Sequence, residues 1–552
     1  MTNFGAKILN NATTALAAQQ AVLATIGNNI ANANTAGYAR RVLDLQTRLS
    51  TNGGGLNVGN GVDVGALIRV ADQYVQKALQ DSASAQGSSE IELEFLSRLE
   101  GLFSLTGDKP TIGSSLTQFF NAVNDLTVDP ASIELRTNVM ERAQDLVTVI
   151  RNTYNGIAAL QKEADTRVGT EIDIVNSITG KIAELNGIIS QSEALGITAA
   201  DERDRRDVLL KQLSEKLSFS QVETSDGSVT VSLANGFSLV SGTTSRRLEM
   251  TENPSFGIAP IPNALDGSIS RYVVYDFDAG VGQAHIDLTQ FLKNGEGSIA
   301  GLLRVRGYNA PDGVNQTFDS DGILVEMASR VEAVTRVLLT QVNRTYLGPD
   351  EDAGTPGHQP SSVDLDGNTA GSVANPYALF DFSHTGAKDP NGNRLPDDLT
   401  NPALGISNFS SILQLNFTDP RRFAAALESD PGNPMTTPFQ TGNGANALAI
   451  ANLQTDNTLI FTVGGPYSLT GTFDEAYNES VSHVGAAKSR AEINATIADA
   501  NLVSAQSRRD SISGVSLDEE FSDLIRFQRA YQASARMVRV ADELLEQIVS
   551  LI

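Results

Sequence analysis

Apolar residues recur every seven positions at both ends of this chain. Near the N-terminus Leu9, Leu16, Leu23 and Ile30 keep that spacing, with Ala12 and Ile26 on companion positions. Near the C-terminus Leu517, Leu524, Tyr531, Val538, Leu545 and Ile552 do the same, with Phe521, Ala535 and Val549 on the companion row. A sustained seven-residue apolar repeat winds helices into a left-handed coiled coil. Two such seams at opposite ends predict that the termini pair with each other, so that the chain between them is one long excursion. That layout suits a subunit of a tubular assembly better than an enzyme.

Between the seams the period changes twice. An N-terminal helix over 3–30 fails at Gly27-Asn28-Asn29, and the Asn- and Gly-rich stretch to Tyr38 reads as a helix end and a specific turn. Residues 38–65 read as extended and partly irregular. Helical spacing returns over about 71–103, 112–126, a long region from Asp129-Pro130 to about Ser192, and 200–217. At Phe219 the period falls to two. Val229, Val231 and Leu233 alternate, Asn235-Gly236 follows, and Phe237 and Leu239 alternate again, which predicts a hairpin. Tyr272–Phe277 and Ile286–Leu288 are further strand candidates. Helix resumes at about 314–345. A Pro/Gly/Asp/Asn-rich stretch of low periodicity follows to about 440, then helix again at 445–453 and from Phe473 to the end, broken at Ser513-Gly514.

The expected fold is therefore multidomain α+β. Its N- and C-terminal helices pair as a coiled coil, a long helical bundle follows, and a β-rich outer domain and an irregular or β insertion project from it. The expected boundaries are 1–65 with 514–552 for the terminal pair, and 66–218 with 298–345 and 441–513 for the helical domain. The β-rich domain takes 219–297 and an outward insertion 346–440.

Composition narrows the function. The chain has 552 residues with 40 basic against 65 acidic side chains, a formal net charge of −25. A nucleic-acid surface needs a basic stripe. The one dense basic run, Arg203, Arg205 and Arg206, is interleaved with Asp201, Glu202, Asp204 and Asp207 and reads as a solvated helix face. Nucleic acid is not an expected partner. With no cysteine there is no disulfide framework and no thiol chemistry. No stretch approaches the roughly 18 apolar residues of a membrane span, and the amphipathic N-terminus lacks the apolar core of a cleaved secretory signal.

Catalytic patterns are missing. His285, His358, His384 and His483 are scattered, and no phosphate loop, zinc-protease or nucleophile-elbow motif occurs. No cofactor is expected and the chain reads as structural. One weak metal lead is Asp389–Asp398, whose oxygen side chains alternate as in calcium loops, with Asp364–Asn368 as a shorter relative. Turn formation is the favoured reading of both, and the missing terminal glutamate lowers the metal reading further.

Both ends carry a resemblance. Asn28-Asn29-Ile30-Ala31-Asn32-Ala33-Asn34-Thr35-Ala36-Gly37-Tyr38-Ala39-Arg40 resembles the segment shared by bacterial flagellar rod, hook and hook-associated proteins. Ser513-Gly514-Val515-Ser516-Leu517-Asp518-Glu519-Glu520 and Gln528–Arg536 are similar to the partner segment, in forms that point to the hook-associated protein 1 family. Phe119–Leu126, Ala183–Asn186, Arg203–Leu210 and Leu233–Gly236 are also similar to that family, whereas about 346–410 is not. The resemblance implies a subunit of the junction between hook and filament, exported unfolded by the flagellar type III route without signal cleavage. It also implies self-association in a tubular layer, contacts with hook protein and the next hook-associated protein, and an export chaperone on the C-terminal helix. Alternatives are a hook or distal-rod subunit, or an extracellular binding module hosted by 346–440.

On this view the assembly interface comprises Leu9, Leu16, Leu23, Ile30, Leu517, Phe521, Leu524, Tyr531, Val538 and Leu545, with the turn residues Asn28, Asn29, Asn32, Asn34 and Gly37. Each buried seam side chain contributes ~1.5–3 kcal/mol, but Gln528 and Asp542 occupy two seam positions, and ordering costs ~1–2 kcal/mol per residue. The isolated helix pair is thus marginal. Residues 1–30 are expected to exchange amide protons rapidly in the free monomer; strong protection there would contradict this. Asn34→Leu is expected to impair assembly more than monomer stability, which co-sedimentation and thermal melting together would check.

Overall fold

The structure is a computed structural model that describes residues 2–48, 59–103, 110–251, 272–275, 286–307, 322–347, 362–368, 370, 378–381, 409–427, 441–463 and 467–550. Helix α1 (Thr2–Ala31) runs into the Asn-rich turn. From that turn an antiparallel hairpin of β1 (Arg41–Thr47) and β2 (Val62–Arg69) folds back along the helix, where Asn10 and Asn11 donate side-chain hydrogen bonds to the carbonyls of Asn60 (3.3 Å) and Gly59 (3.1 Å). The segment expected to be extended and partly irregular is thus a register-defined ribbon over Arg41–Thr47 and Val62–Arg69.

Helices α2 (Gln73–Phe103), α3 (Ile112–Leu126), α4 (Ile133–Ala194) and α5 (Ala200–Lys216) follow. Their starts are chemically specified. Thr111 and Ser114 form a capping box on α3, and the Ser132 hydroxyl accepts the Leu135 N–H on α4. The long helical region read from the sequence is one uninterrupted helix of 62 residues. It buries Val139, Leu146, Ile150, Ile157, Val168, Val175 and Ile182, a mixed three- and four-residue stripe that faces the core along most of its length.

The β region holds a four-stranded antiparallel sheet of β3 (Ser220–Glu223), β4 (Val229–Ser232), β5 (Ser238–Ser241) and β6 (Thr244–Ser245), with the β4–β5 turn at the expected Asn235-Gly236. Gly236 has φ +90°, which a glycine adopts without strain. A second sheet contains β7 (Leu248–Thr251), β8 (Tyr272–Tyr275) and β9 (Ile286–Asp287). Two asparagines of α4 dock the sheets. Asn186 donates to Val229 O at 2.8 Å and accepts Val229 N–H at 3.0 Å, and Asn176 does the same with Leu248 at 2.8 and 2.9 Å.

After α6 (Thr289–Lys293) and α7 (Ser298–Arg306), helix α8 (Ile323–Val337) continues through a π-helical turn at Leu338–Val342 into α9 (Asn343–Leu347). The turn ends at Asn343, whose amide donates to Phe380 O at 2.8 Å and accepts Phe380 N–H at 2.9 Å. Short elements follow: β10 (Ser362–Val363), β11 (Phe380–Asp381), α10 (Phe409–Ile412), β12 (Gln414–Leu415), β13 (Ala426–Leu427), α11 (Ala445–Asn452) and the hairpin β14 (Leu459–Thr462) with β15 (Ser468–Gly471). The described parts of 346–440 bury Phe380, Leu413, Phe417 and Phe423 in the same core as α3, α4 and α8. Phe380 meets Phe119 edge-on at 5.8 Å, and the buried Arg136 of α4 donates to the carbonyls of Pro130 and Phe423. Those parts rest on the helices directly.

Helix α12 (Phe473–Ser513), opened by a Thr472–Glu475 capping box, packs along α2. The short link Gly514–Ser516 then leads to α13 (Leu517–Ser550), which packs along α1. No helix among the described residues is long and apolar enough to cross a membrane.

Candidate assembly interface

The Asn-rich turn is where the first and last helices meet. Asn29 is fully buried, and its side chain makes all four hydrogen bonds open to an amide. Its nitrogen donates to Arg41 O (3.0 Å) and Glu520 Oε2 (3.1 Å). Its oxygen accepts the Tyr38 hydroxyl (2.8 Å) and the Arg41 N–H (3.1 Å). Arg40 completes the closure. Its Nε donates to Glu520 Oε1 at 2.7 Å, its guanidinium also reaches Glu519 (3.1 Å) and Asp523 (3.7 Å), and its backbone N–H donates to Ser513 O at 2.9 Å. Glu520 is buried at the first turn of α13, with both carboxylate oxygens bonded.

The opposite side of the turn is held by charge. Arg41 stacks on Tyr38 at 4.8 Å and pairs with Asp201 and Asp204, while Arg69 pairs with Asp204 (2.6 Å) and Asp207. Burial works against the charge on both guanidiniums, but the facing carboxylates outweigh it and hold both above their ordinary values. Burial, partly offset by Arg41, pushes the Tyr38 phenol up. The run Asp201–Asp207, expected as a solvated face, is instead the dock for the ribbon. Asp204 and Arg206 are buried, and Arg206 donates to Asn186 Oδ1 and Gly227 O. Mixed charge signs on one helix allowed a solvated face; the arginines that pair with Asp204 lie more than 130 residues earlier, and the partners of Arg206 lie 20 and 21 residues away on other elements.

Gly37 sits at φ +81°, and a Cβ there would run into Val208 of α5. Asn32 donates to Asn28 Oδ1 at 2.6 Å and accepts from Thr35 at 3.2 Å, which ties the turn to itself. Asn34 is exposed and lines a cleft of about 740 Å³ with Gly37, Val208, Lys211 and Arg509.

The seams meet in a shifted register. On α1, Leu9, Leu16, Leu23 and Ile30 are half-buried, whereas Ala12, Ala18, Val22 and Ile26 are buried. On α13, Leu524, Tyr531 and Val538 are half-buried, and Tyr531 receives a hydrogen bond from Gln20 at 3.3 Å. The companion row of α13 is Glu520, Phe527, Ser534 and Ala541, one residue before the expected Phe521, Gln528, Ala535 and Asp542. Leu517 and Phe521 are exposed. Small residues allow close approach of the two helices, and Glu520 is drawn inward by Asn29 and Arg40. The side chains of Leu545 and Val549, and all of Ile552, lie outside the described residues.

Among the described residues the metal lead gains no ligand set. The Asp364 carboxylate accepts the backbone N–H groups of Asp366 and Asn368 and the Asn368 amide, and Asp366 pairs with Arg421. The Asp389–Asp398 run lies outside the described residues.

Three family models match the chain: flagellar basal body rod protein at 9–38, flagellar hook-associated protein FlgK helical domain at 96–358, and flagellar basal body rod FlgEFG protein C-terminal at 506–551. The chain is 25% identical to flagellar hook-associated protein 1 of Escherichia coli (strain K12) and 26% identical to that of Salmonella typhimurium, in each case over 99% of both chains.

The chain is similar to flagellar hook-associated protein 1 over nearly its whole length.

A relative of the same name from Bacillus subtilis is 25% identical over 98% of this chain and 97% of its own length. Among solved structures, the flagellar hook junction protein FlgK from Burkholderia pseudomallei matches with a TM-score of 0.56 and 15% identity, covering 79% of this chain and all of that one. The two rod-type matches coincide with the elements that Asn29, Arg40 and Glu520 bring together.

Asn29→Leu strands Oε2 of Glu520 and the Arg41 peptide groups, each costing about 1–3 kcal/mol when left buried and unpaired. It is expected to speed amide exchange in 38–47 and the first turns of α13 while leaving α4 unchanged. Gly37→Ala should do the same by lifting the turn off Val208.

Proposed function

We propose that this chain is a structural subunit of the bacterial flagellum, placed at the junction between hook and filament and required for filament assembly. The observation that carries this is the combination of two rod-type termini with an intervening match to the helical domain of the hook-associated protein. Rod-type ends alone would suit a hook or distal-rod subunit equally; the 96–358 match favours the junction.

In this reading residues 1–65 and 514–552 form the wall of the inner tube, their helices paired as a coiled coil. Residues 66–218, 298–345 and 441–513 form the helical domain, and 219–297 with 346–440 lie further out. Copies associate laterally into one layer between hook protein below and the next hook-associated protein above. The chain is exported through the flagellar type III route without cleavage, with a chaperone gripping the C-terminal helix. The packing supports this division: the helix pair is thin, leaves large apolar side chains in water, and needs neighbours.

Cells lacking this gene are expected to carry bare hooks and to shed flagellin into the medium as monomer, seen by electron microscopy and immunoblotting. Missing hooks would move the protein down to hook or rod, and normal filaments would overturn the axial role.

A further inference from the structure

Helix α13 turns Glu520, Phe527, Ser534 and Ala541 toward α1, and its large exposed apolar side chains fall into two short rows. Leu517, Phe521 and Ile525 form the first, and Phe521 and Ile525 are 49% and 52% exposed. Met537, Val540 and Leu544 form the second, and Met537 and Val540 are 48% and 53% exposed. At the rise of an α-helix the rows are about 12 and 10 Å long, with centres about 28 Å apart.

The rows lie on opposite flanks. At about 100° per residue, measured from Glu520, the first row stands about 60–140° round the helix in one sense and the second about 100–160° in the other. The charged side chains alternate with them. Beside the first row the other flank carries Glu519 and Asp523, which Arg40 of the same chain holds. Level with the second row the other flank carries Arg539 and Glu543, both exposed. The apolar flank of α13 therefore changes side halfway along the helix.

We propose that the two rows are the halves of one head-to-tail contact between parallel copies of this chain, the first row of one copy lying against the second row of the next. Opposite flanks face each other whenever parallel copies stand side by side, and the rows match in length. One copy cannot bring its own rows together, because a continuous helix separates them. Bringing Phe521 level with Val540 of the next copy displaces the neighbours by about 28 Å along the helix. That register sets Asp518 of one copy beside Arg536 of the next. Both are exposed, and among the described residues neither is in an ion pair within the single chain. A contact between two different patches is heterologous, and with an axial step it climbs as a helix rather than closing as a flat ring. The contact rests on the axial reading above and names the surfaces through which neighbours in the layer meet.

The absence of native cysteine makes the test direct. Phe521→Cys with Val540→Cys is introduced as the cell's sole copy, and isolated hook–filament structures are mildly oxidised. A disulfide forms only where Cα atoms come within about 7 Å. The expected result is a covalent ladder extending beyond dimers. It should be absent from either single variant and from Phe521→Cys with Arg539→Cys, one residue away on the other flank. Chain present in those structures without a ladder, or an equal ladder through Arg539→Cys, overturns this contact and leaves the axial reading standing. Wild-type chain absent from them overturns both. Independently, Val540→Asp is expected to leave monomer melting unchanged and to cut filaments per cell at least tenfold, with Phe521→Lys in the same chain restoring them. Wild-type filament numbers in Val540→Asp cells would overturn the contact. So would a loss that Phe521→Lys leaves in place, which would give the second row to the export chaperone.

Discussion

A hydrogen bond of 3.1 Å between Asn29 and Glu520 joins positions 491 residues apart, and the arrangement of the first and last helices depends on it. A buried carboxylate at a helix start is costly unless every lone pair is engaged. Asn29 and Arg40 engage those of Glu520, and in doing so they fix where α1 ends, where the ribbon departs and where α13 begins. The register of the terminal helices follows from this. Glu520 turns inward, so the row behind it, Ser534 and Ala541, turns inward as well, and Phe521 is left outside.

The same device recurs at four places where a strand is attached to a helix. Asn29, Asn176, Asn186 and Asn343 each give an N–H to the carbonyl of one strand residue and accept the N–H of that same residue, namely Arg41, Leu248, Val229 and Phe380. A neutral amide satisfies both backbone groups without importing a charge, and its planar geometry fixes the strand in distance and direction. The ribbon, both sheets and the β11 segment are thus hung on helices by one kind of joint.

Much of this architecture was legible in the chain. The seven-residue spacing gave the terminal helices, the mixed three- and four-residue spacing gave α4, and Asn235-Gly236 gave the β4–β5 turn. What escaped has a common physical cause: the deciding partner is remote. Periodicity alone could not choose between Phe521 and Glu520 as the inward row, because the choice is made by Asn29 and Arg40 at the other end of the chain. Asp204 looked solvated because Arg41 and Arg69 are 163 and 135 residues away in sequence, and Arg206 because its partner Asn186 sits on another helix, which the pattern along α5 does not reveal. The ribbon was read as extended and partly irregular, with too few residues of clean alternation to give its register, and β14–β15 is too short to stand out between helices. The Asn-rich turn was recognised as specific, but its expected role at subunit contacts differs from what Asn29 does within one chain.

Helix α4 is a single rod of 62 residues, about 90 Å from end to end. Its first turn is tied to the 409–427 segment through Arg136, and its far end carries both sheets through Asn176 and Asn186. A load applied at either end passes along continuous backbone hydrogen bonds with no break at which to bend. Compliance between the helical body and the terminal helix pair is thereby concentrated in the links that cross between them, residues 70–72 after β2 and the three residues Gly514–Ser516. The molecule is stiff in its girder and pliant at its neck.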